Sequence, residues 1–307
     1  MIAIPESFAR TMVELHAEAG AAWLRELPTL LDDCAQRWSL TIAPPFDPLT
    51  YNYVAPAMRA DGTPVVLKVG FASRELQTEI AALRLYDGHG IAQLLDVDLG
   101  RGAFLIERLR PGTPLFELLD DEQATTIAAQ VMRKLWRGPA GEPPAEHDFP
   151  TVVRWAEGMA RLRERFGGGT GPFPTRLVER AERLFDELLS SMGAPVLLHG
   201  DLHHWNILAS ERQPWLALDP KGVIGEPEYE VGAWLRNPLP RLLEMPQPGR
   251  VLARRLDIFG QQLGFDRARL IGWGFAQAVL SAWWSYVDHG RGWQPAMKVA
   301  ELLAELE

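Results

Sequence analysis

The sequence predicts an α+β fold in two parts, a small strand-rich lobe ending near residue 110 and a larger helical lobe running to residue 307. Three observations carry that expectation. Between residues 51 and 109 the chain reads as four short β-rich runs around one helical stretch. From residue 121 onward most long segments place apolar residues at helical spacing. The exception is a pair of short apolar runs, "PVLLHGD" and "PWLALDP", which bracket a loop crowded with histidines.

Taken in order, residues 7–40 predict a helix, because Phe8, Met12 and Leu15 recur at spacings of four and three. Trp23, Leu24, Leu27, Leu30 and Leu31 continue that stripe. Residues 51–58 and 63–69 predict a hairpin, with Asp61-Gly62 as its turn signal. The second of these runs, "PVVLKVG", is apolar except for Lys68. Helical spacing returns over 73–88 through Leu76, Ile80, Leu83 and Leu85, and Gly88 and Gly90 stop it. "AQLLDVD" and "GAFLIERL" predict two more strands, turning at Gly100-Arg101-Gly102. The Pro/Gly-rich "RPGTPL" at 110–115 is punctuation, and the lobe boundary falls there. Beyond it, 121–137, 150–166 and 175–192 predict helices, separated by "GPAGEPPAEHD" and "FGGGTGPFP". From about residue 241 the chain reads as helical again.

Composition narrows the function. Lys and Arg number 31 against 40 Asp and Glu, a net charge of −9, and no basic stripe interrupts the balance. That argues against nucleic acid as the main partner. It also suits a cationic ligand, although many solvated surfaces are acidic. With one cysteine, Cys34, no disulfide forms within the chain, and a partly buried thiol is expected. No basic segment followed by an apolar one opens the chain, and no apolar run approaches the ~18 residues of a membrane span. A cytoplasmic protein is expected, with no membrane and no obligate protein partner.

The chemistry concentrates in "VLLHGDLHHWNILAS", residues 196–210. One reading is a zinc site, since His199 and His203 are four apart. Gly200 and the flanking strand-like runs predict a loop there instead of a helix, and the Glu of HExxH is missing. The other reading joins Asp201, Asn206 and Asp219. Phosphoryl transfer needs a carboxylate to orient the attacking hydroxyl and oxygen ligands for magnesium. An Asp, an Asn five residues later and an Asp at the end of the strand "WLALD" supply those groups. Lys68 then interrupts its apolar strand for a reason: an ammonium for phosphate, held by Glu79 or Glu75 on the next helix, with Glu79 preferred. The Gly cluster at 167–171 lacks the Lys-Ser/Thr of a P-loop and reads as a connector.

"LHGDLHHWNIL" and "WLALDPKGVIGEPEYEVGAWLRNP" resemble the aminoglycoside phosphotransferases, which have a two-lobed, protein-kinase-like fold. "DGTPVVLKVG", "LIERLRPGTPL" and "VLSAWWSYVDHG" are similar to its streptomycin 6-phosphotransferase and hydroxyurea-resistance kinase branch. The resemblance covers roughly residues 50–290 and leaves the helical first ~40 unaccounted for. It implies ATP and Mg2+ as cofactors, with Asp201 as catalytic base and Asn206 and Asp219 as magnesium ligands. Lys68 would contact phosphate, and Glu107 and Leu109 would bound a hinge whose backbone meets adenine. Residues 1–110 would be the nucleotide-binding lobe and 111–307 the catalytic and substrate-binding lobe. The glycine-rich loop of protein kinases has no counterpart in "FDPLTYNYVAPAM". The acceptor implied is streptomycin or a related aminoglycoside, or else an ordinary metabolite or hydroxyurea-like compound.

A polycationic acceptor calls for carboxylates and aromatic faces. Glu226, Glu228, Glu230 and Asp288 are candidates, against a reading of the glutamates as a solvated charge run. Of the adjacent Trp283 and Trp284 only one can line a pocket, and Trp284 is the candidate. Trp205 is either a substrate wall or a residue packing the loop onto the large lobe. Lys221 either touches phosphate or substrate, or pairs with nearby glutamates.

Overall fold

The computed structural model describes residues 4–71, 73–137 and 147–306. The chain opens with a long helix, α1 (Glu6–Trp38), and a short strand, β1 (Leu40–Ile42). Then follow β2 (Asn52–Arg59), β3 (Pro64–Gly70), α2 (Arg74–Tyr86), β4 (Leu94–Asp98) and β5 (Ala103–Glu107). These strands form one antiparallel sheet in the order β1-β2-β3-β5-β4.

Alternation along β3 explains its composition. Val65, Leu67 and Val69 point to one face and pack with Phe8, Trp23, Leu27 and Leu31 of α1. Lys68 belongs to the other face, toward α2, which buries Leu76, Ile80 and Leu83 in the main core. A strand covered on both sides reads as an apolar run, so its single lysine marks the side where the site lies.

α1 differs from the predicted plain helix. Ala17 has φ 48° and ψ −130°, which bends the helix sharply. Beyond the bend the Met12 carbonyl comes so close that a Cβ on Gly20 would stand 2.3 Å from its oxygen. Only glycine fits there.

The second part begins with β6 (Pro111–Pro114), in the segment predicted as punctuation. It pairs with β8 (Ile207–Ser210), which pairs with β9 (Trp215–Ala217). A second ladder joins β7 (Val196–Leu198) to β10 (Val223–Gly225). Around these ladders stand α3 (Asp121–Arg137), α4 (Val152–Ala156), α5 (Gly158–Arg165), α6 (Thr175–Ser190) and α7 (Pro227–Leu235). The chain closes with α8 (Arg241–Glu244), α9 (Pro248–Leu263), α10 (Arg267–His289) and α11 (Gln294–Ala304). The helix predicted over 150–166 is broken at Glu157. Gly158 lies so near α10 that a Cβ would meet Leu280 Cδ1 at 2.5 Å. Most of the connector predicted over 138–148 lies outside the described residues. Among the described residues no helix is long and apolar enough to cross a membrane.

Candidate active site

The loop between β7 and β8 is fixed by its backbone. Gly200 takes φ 85°, and a side chain there would press on Trp155 and Val223 at 3.0 Å. Glu230, on α7, accepts from the N–H groups of His199 (2.6 Å) and Gly200 (2.9 Å). Burial pushes the Glu230 carboxyl up to about 7, against the downward pull of those donors. His199 Nδ1 accepts from the Asp201 N–H (3.3 Å), so its Nε2–H donates to the Leu218 carbonyl (2.8 Å). Burial holds its pKa down to about 4, and the ring is a neutral brace. His204 is buried against the Trp234 ring at 3.7 Å. The histidine density is therefore bracing and packing, which answers the zinc reading.

This bracing presents Asp201 to a cleft of about 860 Å³ between the two parts of the chain. Arg236 Nη2, just beyond α7, donates to Asp201 Oδ1 at 2.9 Å, and His203 Nε2 stands 3.6 Å from Oδ2. Arg236 is itself held by Gln277 of α10. Burial works to raise the Asp201 pKa, but His203, Arg236 and Lys221 outweigh it and hold the carboxyl well below the usual range.

Asp219 follows β9 in the left-handed region, at φ 65°. Its carboxylate pairs with Lys68, whose Nζ also donates to Glu79 at 2.7 Å. Burial disfavours the charge on Lys68, and the two carboxylates more than restore it. Asp219 is held down to about 2, chiefly by Lys68 acting against burial, while burial pushes Glu79 up. Lys221 pairs with Glu75, so the two glutamates considered for Lys68 each take a different lysine.

A divalent cation fits this donor set. Asn206 Nδ2 donates to the Asp201 carbonyl at 2.9 Å, which leaves its amide oxygen available as a ligand atom alongside an Asp219 carboxylate oxygen in the donor set. Among the described residues no three His, Cys, Asp or Glu side chains converge as a metal site. One carboxylate and one amide form the sparse oxygen set that Mg2+ takes together with phosphate oxygens.

Farther out, the cleft wall carries Tyr51, Arg154, Trp155, Trp284 and Asp288. Trp284 meets Trp155 edge-on at 5.4 Å, whereas Trp283 is buried with Phe166 and Phe173. Two sequence expectations require correction. Glu226 does not face the cleft: it is buried, bound by Arg269 (2.6 and 2.8 Å) and the Gly193 N–H (2.8 Å), with Trp273 donating as well. Trp205 is also not among the cleft residues; it is half exposed and stacks on Phe116 at 4.0 Å. The N–H of Glu107 goes to Gln93 (2.9 Å) and its carboxylate to Arg212, so neither of those groups serves a hinge contact. Leu109 is buried with Ala92 and Leu216. Sequence reasoning passed over Arg236 and Trp155, and it read Glu230 as an acceptor carboxylate or part of a charge run when it in fact braces the loop amides. Arg236 carried a signal, a lone cation after the apolar "GAWL".

The family model for aminoglycoside/hydroxyurea antibiotic resistance kinases matches residues 45–289. Streptomycin 6-kinase of Streptomyces glaucescens is 31% identical over 296 residues, spanning 96% of this chain and 95% of its own. Hydroxyurea phosphotransferase of Kitasatospora aureofaciens is 32% identical over 312 residues, 98% of this chain and 85% of its own. Among solved structures, a thermostable mutant of aminoglycoside phosphotransferase APH(4)-Ia with ADP and hygromycin B aligns with a TM-score of 0.64 at 13% identity, covering 90% of this chain and 96% of its own. Choline kinase LicA from Streptococcus pneumoniae gives 0.64 at 13%, covering 92% and 99%. At that identity the likeness establishes the kinase-like fold.

Proposed function

The chain belongs to the aminoglycoside/hydroxyurea antibiotic resistance kinase family, and on that premise we propose an ATP-dependent kinase that phosphorylates a hydroxyl of streptomycin or a related aminoglycoside. The observation that carries this reading is the convergence of Lys68, Asp201 and Asp219, from separate elements, on one cleft. Residues 1–110 serve as the nucleotide lobe and 111–307 as the catalytic and acceptor lobe; the pairing of β6 with β8 supports a division near 110. The cytoplasm, where ATP is abundant, is the compartment that fits.

In this reading Lys68 binds phosphate oxygens, and Glu79 keeps its ammonium in place. Asn206 and Asp219 hold Mg2+, which supplies charge neutralisation for the phosphates when bound. Asp201 accepts the hydrogen bond of the acceptor hydroxyl and orients its oxygen, while Arg236 fixes the carboxylate. Trp284 and Asp288 receive the acceptor. Lys221, tied to Glu75, tunes Asp201 electrostatically.

A second reading, an ordinary metabolite or hydroxyurea-like acceptor, has its own support. The outer wall carries Arg74, Arg154 and Arg161 against Asp288 and a Glu75 already paired. ADP release from Mg-ATP with streptomycin, other aminoglycosides and hydroxyurea as acceptors separates the two readings. Asp201→Asn should lower kcat by orders of magnitude with little change in the KM for ATP. Near-normal turnover in that variant would refute the assignment of Asp201.

A further inference from the structure

We propose that the bend of α1 is part of the acceptor site: His16, stacked on Phe71, forms a wall of the cleft that contacts a ring-bearing, polyhydroxylated acceptor. This deepens the kinase reading and rests on it. Leu15, His16 and Phe71 line the same cleft as Asp201 and Asp219. The imidazole lies on the Phe71 ring at 4.3 Å and 15°, and Trp23 abuts Phe71 edge-on at 6.4 Å. Among the described residues neither ring nitrogen of His16 has a hydrogen-bond partner.

The arrangement is built. An alanine at φ 48° and ψ −130° occupies backbone space that favours glycine, at a cost of about 1–3 kcal/mol. The bend persists because Phe8 and Met12, both fully buried, anchor the first segment against Trp23 and Tyr53. A straight helix could cover the sheet without that strain. What the bend adds is a stacked imidazole at the cleft, carrying an apolar face for ring C–H groups and nitrogens for hydroxyls. The segment lies ahead of residues 45–289, the part matched by the family model.

The test measures KM for Mg-ATP and for the ring-bearing acceptor of the panel with the highest kcat/KM, in wild type, His16→Ala and His16→Phe. His16→Ala should raise the acceptor KM about tenfold, the scale of one lost aromatic or polar contact, and leave the KM for ATP within twofold. His16→Phe, which keeps the stack, should return the acceptor KM to within about threefold of wild type. An unchanged acceptor KM in His16→Ala, with normal wild-type turnover, overturns the inference and leaves the kinase reading standing. A parallel rise of both KM values, or turnover confined to hydroxyurea, overturns it as well. A wild type inert toward every acceptor overturns the kinase reading and this inference with it.

Discussion

Replacing Arg236 by Met isolates what orients Asp201. The guanidinium reaches Asp201 Oδ1 at 2.9 Å and is itself buried, so no water stands ready to replace it. Unit charges about 4 Å apart interact by roughly 4 kcal/mol at an effective dielectric of 20, and breaking a buried pair costs about 3–5 kcal/mol. That energy can appear as weakened ionisation of Asp201 or as lost orientation. Asp201 starts well below the usual carboxylate range, with His203 and Lys221 still beside it, so it remains charged at neutral pH. The loss must then fall on orientation. About 3 kcal/mol of barrier corresponds to a kcat lowered roughly a hundredfold.

Steady-state ADP release at saturating Mg-ATP, from pH 5 to 9, reads this directly. The KM for ATP should change little, and the drop should persist across the neutral range while the acid limb moves upward. Adding Asp201→Asn should cost much less in the Arg236→Met background than in wild type, since both changes disable one unit. A kcat within threefold of wild type, with an unchanged Tm, would show that the loop backbone alone orients Asp201.

Two further outcomes follow from the buried glutamates. Glu226→Gln should lower Tm by about 6 °C, from roughly 3 kcal/mol lost at the Arg269 pair, and leave both KM values within twofold; a tenfold rise in acceptor KM at unchanged Tm would restore Glu226 to the site. Glu230 has its folded pKa raised to about 7 from 4.5, so its contribution to stability is fullest below pH 4.5 and is lost as pH rises toward 7. The loss approaches about 3 kcal/mol. Glu230→Gln removes that slope, so its Tm relative to wild type should improve from pH 5 to pH 8, and the opposite trend in paired thermal melts would refute the assignment.

How much of this was legible in the sequence depended on how local each signal is. The hairpin around Asp61-Gly62 and the stop at Gly88 are written in adjacent residues, and the sheet and α2 appear where they predict. β6 was hidden because two prolines in "RPGTPL" read as a turn; it is a strand only because β8 arrives about a hundred residues later to pair with it. Glu226 and Glu230 read as acceptor carboxylates or a solvated run, and their burial depends on Arg269, Trp273 and the loop amides at 199 and 200, none of them neighbours in sequence. The bend at Ala17 left no trace because the residue there is not glycine. Arg236, by contrast, was legible. The reasoning that singled out a lone lysine in an apolar strand applies equally to a lone arginine closing an apolar helix.

The same bookkeeping of charge indicates what the site asks of Asp201. At the inner end of the cleft, the carboxylates of Asp201 and Asp219 stand among the cations of Lys68, Lys221 and Arg236. Each carboxylate is held ionised against its own burial. A base that must take up a proton at neutral pH works best with a pKa near 7, and Glu230, raised to about that value, is turned inward onto backbone amides. Asp201 is instead a poor proton acceptor with a fixed direction. That combination suits a loose phosphoryl-transfer transition state, in which the attacking hydroxyl needs placement more than deprotonation. Orientation, supplied by Arg236 and the His199 brace, is therefore where substitutions should be felt most.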